Sequence, residues 1–511
     1  MSSTRRIASS RLSTRRNTRN RAPAPTLTPG VVAEVRFTDL LANGQAVGRI
    51  NGLVVFVSGA LPGERARVRV TLVKPKYAVG EVVSFESRSE MRAQPFCGVF
   101  GICGGCQVQH LAYPAQLAWK EQIVRSALRR IGGFSDVRVR RPVGMTNPRN
   151  YRNKMALVAD HSSGETVFGF YQARSHALVP IETCPVVLPQ LDTGIAGLYA
   201  AARASESNAA FARAKHAIMR AGSATGQAVL SITTDRAAPE IKDAAPAIGR
   251  RIRGIVGISN SFEPRTANAV LGRKMLYVWG EREMEETIEG VRYRVSPASF
   301  FQVNSEMVGR IFRFLAPGVN KDAKVVDLYC GAGTFAIFFA SRGAQVVGIE
   351  ENPAAVREAR ENADLNKVND RVRFVEGRVE GAVAHEEGRR ALREAEIVFL
   401  DPPRKGSDEA TLDAIASAGV ANLWYLSCNP ATLARDLAYL AKRGYAIGVV
   451  QPFDMFPQTG HVETLVTVHK VDAPVELTLP EREATPWDEV IPEWPADDPY
   501  AKTEYPDFVE Q

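Results

Sequence analysis

From about residue 300 onward, apolar runs of strand length alternate with segments of helical period. AKVVDLYCG, AQVVGIE, RVRFVEG, AEIVFLDPP, NLWYLSC and YAIGVVQ read as strands; TFAIFFASRG, PAAVREARENADLN and PATLARDLAYLAKRG read as the helices between them. Strands joined through helices pair in parallel, and the helices then cover both faces of the sheet. The pattern predicts an α/β fold, a doubly wound Rossmann-like domain. In such a sheet ligands bind outside the carboxyl ends of the strands, so chemistry is sought there.

The first 300 residues follow other rules. Residues 29–88 hold five short alternating runs (GVVAEVRF, GQAVGRI, GLVVFVSG, ERARVRVTLV, YAVGEVVSF) punctuated by Gly and Pro, which suggests a small N-terminal OB-like β-barrel. Residues 113–132 have helical period, with Leu117, Ile123, Val124, Leu128 and Ile131 on roughly one face. Residues 134–290 mix strands and helices and read as an α+β central domain. The expected organisation is a barrel at 29–88, a central domain from 89–112 and 134–290, and the doubly wound domain from 113–133 and 291–470.

The chain ends are set apart by charge. Residues up to Leu27 contain seven arginines and no acid; residues 471–511 contain twelve acids against Arg482 and Lys502. We read 1–28 as a disordered basic arm and 471–511 as an acidic tail. The net charge of +8 therefore understates how basic the body is, and a basic body fits a polyanion such as RNA. No run reaches the length of a membrane span, and no apolar signal segment opens the chain. Six cysteines in 511 residues are too few for a disulfide scaffold. A cytoplasmic protein without membrane contact, and a monomer, is expected.

The first strand of the doubly wound domain runs into Tyr329-Cys330-Gly331-Ala332-Gly333-Thr334. The glycines let a ligand approach the backbone, but this is not G-x-G-x-x-G and no lysine opens the next helix, so pyrophosphate binding is disfavoured. The second strand ends in Glu350, where a carboxylate can accept both ribose hydroxyls. Together they suit an adenosine-bearing ligand without pyrophosphate, such as S-adenosylmethionine. The fourth strand ends in Asp401-Pro402-Pro403, and the prolines fix Asp401 at the ligand edge.

The fifth strand delivers Cys428, just ahead of a helix beginning near Pro430. Helix amides there stabilise a thiolate. A thiolate beside a methyl donor suggests one chemistry: addition to C6 of uracil gives an enolate whose C5 takes the methyl, and a base then removes the C5 proton. Glu463, opening the last strand, is the candidate base, with His461 its competitor. The target base must be flipped out or already unstacked.

Cys97, Cys103 and Cys106 cluster in one loop, and Cys184, in Thr183-Cys184-Pro185, can supply a fourth thiolate. Four thiolates suit zinc or an iron–sulfur cluster. Three close cysteines with a remote Cys-Pro lean towards iron–sulfur, though zinc stays open on spacing alone.

C-x5-C-G-G-C-x3-H (Cys97 to His110), Y-R-N-K (Tyr151 to Lys154), F-F-Q-V-N (Phe300 to Asn304), D-L-Y-C-G-x-G-T-F, D-P-P-R-K-G, S-C-N-P-A-T and H-V-E-T together resemble the RNA uracil-5-methyltransferase family over about residues 30–470. The resemblance implies an S-adenosylmethionine-dependent methyltransferase domain, with Cys428 as nucleophile and Glu463 as base. It implies cofactor contacts from Gln302, Tyr329, Glu350 and Asp401. Thr334 stands where relatives often carry Asn. It implies a TRAM barrel, and a [4Fe-4S] cluster on Cys97, Cys103, Cys106 and Cys184. Arg152 and Lys154 become candidates for contacting RNA phosphate or shaping the active site. Barrel and cluster together resemble the branch acting on 23S rRNA; tRNA is the alternative substrate. Competing readings are an amino- or cytosine-methyltransferase and a non-catalytic RNA-binding protein.

Overall fold

The structure is a computed structural model that describes residues 27–262, 270–272 and 274–478. The basic arm up to residue 26 and the acidic tail beyond 478 lie outside the described residues.

Five strands close the N-terminal barrel: β1 (Val32–Leu40), β2 (Gln45–Ile50), β3 (Leu53–Ser58), β4 (Arg65–Val73) and β5 (Tyr77–Ser87), in the order β1-β2-β3-β5-β4. Alternation sets the inside and the outside. On β4, Ala66, Val68 and Val70 are buried while Arg65, Arg67 and Arg69 face out. Gly48 is required where strands cross closely, since a Cβ there would stand 2.2 Å from a Val35 methyl. Helix α1 (Tyr113–Arg130) follows and crosses to the far domain.

The central sheet is built from β6 (Lys154–Asp160), β7 (Val167–Tyr171), β8 (Leu178–Pro180), β9 (His216–Ala221), β10 (Ala228–Thr234), β11 (Ile255–Phe262) and β12 (Lys274–Gly280). Their order is β12-β11-β10-β9-β6-β7-β8. Only β10 and β11 pair in parallel, because α3 (Pro239–Arg251) supplies the crossover between them. With α2 (Pro189–Arg203), that helix covers one face in a core of Leu191, Ile195, Leu230, Ile241 and their neighbours.

A hairpin, β13 (Met284–Ile288) and β14 (Val291–Val295), spans position 290 and buries Met284, Tyr293 and Val295 in the core of the C-terminal domain. Helix α4 (Ser305–Leu315) packs there too, capped by Asn304, whose side chain accepts from the Met307 amide.

The C-terminal domain has the expected doubly wound architecture. Its elements are β15 (Lys324–Leu328), α5 (Thr334–Ser341), β16 (Gln345–Glu350), α6 (Pro353–Leu365), β17 (Val372–Glu376), α7 (Val379–Ala384), α8 (Glu386–Glu394), β18 (Ile397–Leu400), α9 (Glu409–Ala418), β19 (Asn422–Ser427), α10 (Pro430–Ala441), β20 (Tyr445–Phe453) and β21 (Glu463–Lys470). Strand order is β17-β16-β15-β18-β19-β21-β20, with β15 to β19 parallel and β21 antiparallel to both neighbours. The order reverses between β15 and β18, which opens a crevice at their carboxyl ends. Helix α5 is apolar all round because it is buried all round; Phe338 stacks on Phe312 at 4.1 Å. Helix α1 joins this domain from the N-terminal part of the chain, burying Val124 and Leu128 with Leu433 and Leu437 of α10.

Among the described residues no helix is long and apolar enough to cross a membrane.

Candidate active site

The sheet register brings distant residues to one edge. β15, β16, β18 and β19 end in Leu328, Glu350, Leu400 and Ser427, so the segments carrying Tyr329, Asp401 and Cys428 leave from the same side as Glu350. β21 runs the other way and begins there with Glu463. Ser427 pairs with Thr464 across β19 and β21, so the ladder ends with Cys428 following one partner and Glu463 preceding the other at the same edge of the sheet. Glu463 is buried and Cys428 half-buried.

The Cys428 loop is held by its neighbours. Asn429 caps α10 by accepting from the Ala431 amide at 3.1 Å, and its side-chain amide donates to Arg404 O at 3.1 Å. Thr432 Oγ1 donates to the same oxygen at 3.1 Å. The Asp-Pro-Pro-Arg turn and the Ser-Cys-Asn-Pro turn thus form one unit.

Of the cofactor candidates, Tyr329, Glu350 and Asp401 lie at the carboxyl edge of the sheet. The Glu350 carboxylate accepts from the Gly331 amide at 3.1 Å and the Asn352 amide at 2.8 Å. Gln302 Nε2 donates to Asp401 Oδ2 at 3.4 Å. Gly331 and Gly333 have φ of +54° and +83°, as the tight turn before α5 demands. Tyr329 also has positive φ, and its hydroxyl sits 3.0 Å from Ser407 Oγ; burial pushes that phenol up to about 12. Thr334 opens α5, is buried, and its main-chain oxygen accepts from Tyr293.

Several residues of this region escaped the sequence reading. Asn153 holds the Gln302 segment, donating its side-chain amide to Gln302 O at 2.9 Å and its main-chain amide to Val303 O at 2.8 Å. Asn304 donates to Met455 O at 3.1 Å. Asp327, fully buried on β15, is pushed far above the carboxylate range by burial and then by Asp401 and Glu350. Asn153, Asn304 and Asp327 all lie inside the quoted motifs; only their partners were invisible. His461, the competing base, is pushed down to about 3, first by burial and then by Arg404, Lys120 and Arg152.

The four candidate thiols, Cys97, Cys103, Cys106 and Cys184, line one cavity of about 340 Å³, together with Arg152 and His461. Cys106 feels the charge of the other three, and burial pushes it up to about 12. The cysteine loop is tied to β7 where Gly104 N donates to Tyr171 O at 3.0 Å, and the Cys184 segment is held separately, Cys184 N donating to Asp192 Oδ1 at 2.6 Å. Among the described residues no group of three or more His, Cys, Asp or Glu side chains could hold a single metal ion.

The profile of the tRNA (Uracil-5-)-methyltransferase family matches residues 273–471, and that of the TRAM domain residues 27–83. An uncharacterized RNA methyltransferase of Clostridium acetobutylicum is 34% identical over 455 residues, covering 86% of this chain and 97% of that protein. Another, from Thermosynechococcus vestitus, is 38% identical over 449 residues, covering 85% and 97%. The chain belongs to the RNA uracil-5-methyltransferase family.

Among solved structures, the tRNA (uracil-54, C5)-methyltransferase of Pyrococcus abyssi, in complex with S-adenosyl-L-homocysteine, superposes with a TM-score of 0.66 at 25% identity. The match covers 86% of this chain and all of that one. This RNA uracil-5-methyltransferase is accordingly an S-adenosylmethionine-dependent enzyme with an N-terminal TRAM barrel. Of the readings left open by the sequence, the likenesses favour this enzyme over an RNA-binding protein without activity.

Proposed function

We propose that the enzyme methylates C5 of a uridine in 23S rRNA through a covalent bond between Cys428 and C6 of the base. The observation that carries this reading is the β19–β21 ladder, whose last pair, Ser427 and Thr464, is flanked by Cys428 and by the buried Glu463 at the ligand edge. A thiol and a carboxyl at one edge support a two-residue addition–elimination.

The Cys428 thiolate adds to C6, and the C5=C6 electron pair moves onto C5 and O4. S-adenosylmethionine, when bound, supplies an electrophilic methyl, which C5 takes. Glu463 then removes the C5 proton. The electrons of that C–H bond re-form C5=C6 and expel the thiolate. Gln302, Tyr329, Thr334, Glu350 and Asp401 would hold the donor. The Glu350 carboxylate at the end of β16 suits ribose hydroxyls, and the glycine turn gives the ligand a close approach.

Cys97, Cys103, Cys106 and Cys184 would hold a [4Fe-4S] cluster. Four thiols around one cavity fit that donor set. Zinc on the same four thiols is the alternative, and metal analysis separates the two. The cluster's chemistry here would be structural, tying the barrel and central sheet together.

A tRNA uridine is the second reading, favoured by the Pyrococcus likeness and the family profile. Mapping 5-methyluridine in rRNA and tRNA from cells lacking the gene separates the two. A missing methyl in 23S rRNA supports the first reading, one in tRNA the second. Loss of an N-linked methyl instead would reject both.

A further inference from the structure

We infer that the buried Lys120–Asp454 ion pair positions Glu463, so that α1 governs the last step, release of the methylated base from Cys428. The inference rests on the covalent reaction proposed above. Residues 454–462 form a loop without regular structure between β20 and β21, and the residue after it is Glu463. Glu463 pairs with Phe453, the last residue of β20, and Asp454 is the next residue after that partner.

Helix α1 anchors the loop that leaves this pair. Lys120 Nζ donates to Asp454 Oδ1 at 2.5 Å and to Phe456 O at 2.9 Å, and neither side chain of the pair has any exposed surface. One turn earlier, Gln116 donates to Gln458 Oε1 at 2.9 Å and accepts from the Gln458 amide at 3.1 Å. Gln116 and Lys120 share a helix face, so one face of α1 holds both the start and the middle of the loop.

A buried ion pair is not the best way to gain stability; apolar side chains of similar size often do as well. What the ammonium gives here is direction, because its two acceptors are atoms of the loop itself. Lys120 is therefore a positioning residue. Cys428 is fixed separately, through Asn429 and Thr432 on the Arg404 turn. Losing the pair should spare thiolate addition and methyl transfer and impair proton removal from C5. The methylated adduct should then persist.

The test uses the full-length chain, total RNA from cells lacking the gene, and methyl-labelled S-adenosylmethionine. Denaturing gels report the labelled protein–RNA adduct. Lys120→Met/Asp454→Leu keeps the site apolar and packed. We expect it to hold about tenfold more labelled adduct than wild type, as Glu463→Gln does, with an unchanged KM for the donor. The inference is overturned if the double variant turns over with no more adduct than wild type, or loses methyl transfer without forming adduct. If Glu463→Gln itself accumulates none, the covalent reaction fails, and this inference falls with it.

Discussion

Asn429 donates its side-chain amide to the main-chain oxygen of Arg404 at 3.1 Å, joining the turn that carries Cys428 to the turn that carries Asp401. Thr432 reinforces the joint from one turn into α10. The proposed nucleophile and a proposed donor contact therefore move as one body. In a transfer between two bound partners, such pre-set geometry lowers the entropic part of the barrier.

Cys428→Ala should remove methylation, by on the order of 10⁴-fold or more, because no other group supplies the C6 bond. RNA containing 5-fluorouridine should become covalently attached to wild type and not to this variant. Trapping on Cys428→Ala would assign the nucleophile elsewhere.

Glu350→Gln keeps the shape at the end of β16 but removes the charge that strengthens its hydrogen bonds. Bonds to a charged acceptor contribute about 1.5–3 kcal/mol. The KM for S-adenosylmethionine should therefore rise roughly 10- to 100-fold, with kcat changed far less. Steady-state kinetics at saturating RNA reads this directly. An unchanged KM would remove Glu350 from the donor site.

Protein purified without oxygen should carry about four iron and four sulfide per chain. Cys184→Ser should lose most of both while leaving the donor site intact, which calorimetry with S-adenosylhomocysteine checks. Stoichiometric zinc, or no metal at all, would refute the cluster.

Removing one partner of a buried ion pair strands a charge. Lys120→Met alone should cost about 3–5 kcal/mol in urea unfolding, and Lys120→Met/Asp454→Leu much less. Equal losses in both would mean that packing, not charge, holds α1 on the loop.

His216, on β9, is held at about 4 by burial and then by Lys215, below the usual value near 6.5. The unfolded chain takes up the proton first, so this residue's contribution is present above about pH 6.5 and lost as pH falls towards 4. At pH 5 the loss is about 2 kcal/mol. Urea midpoints between pH 7 and 5 should fall less steeply for His216→Gln than for wild type. Parallel slopes would rule out this histidine as the cause.

The barrel was legible because short strand-like runs are separated by Gly and Pro turns, and on β4 alternation maps directly onto inside and outside. The doubly wound sheet was legible because helical and strand periods differ. The expected boundary at 290 falls between β13 and β14 and divides the hairpin, since five-residue strands carry no label for the core they join. Tyr329, Glu350, Asp401 and Cys428 were named from their positions at or just after strand ends, and those ends share one edge of the sheet. Asn153 and Asn304 were passed over because amides show their importance only through partners such as Gln302 O and Met455 O.

Local sequence determined which strands this protein forms, which of their ends carry a thiol or a carboxylate, and that four cysteines stand apart from the rest. Periodicity and turn chemistry act over a few residues, so a chain can be read that far unaided. Tertiary structure alone decided that Ser427, beside Cys428, pairs with Thr464, beside Glu463, and that Lys120 reaches Asp454 across 334 positions of chain. Strand register and buried ion pairs are fixed by packing of the whole molecule, and no local stretch of sequence contains them.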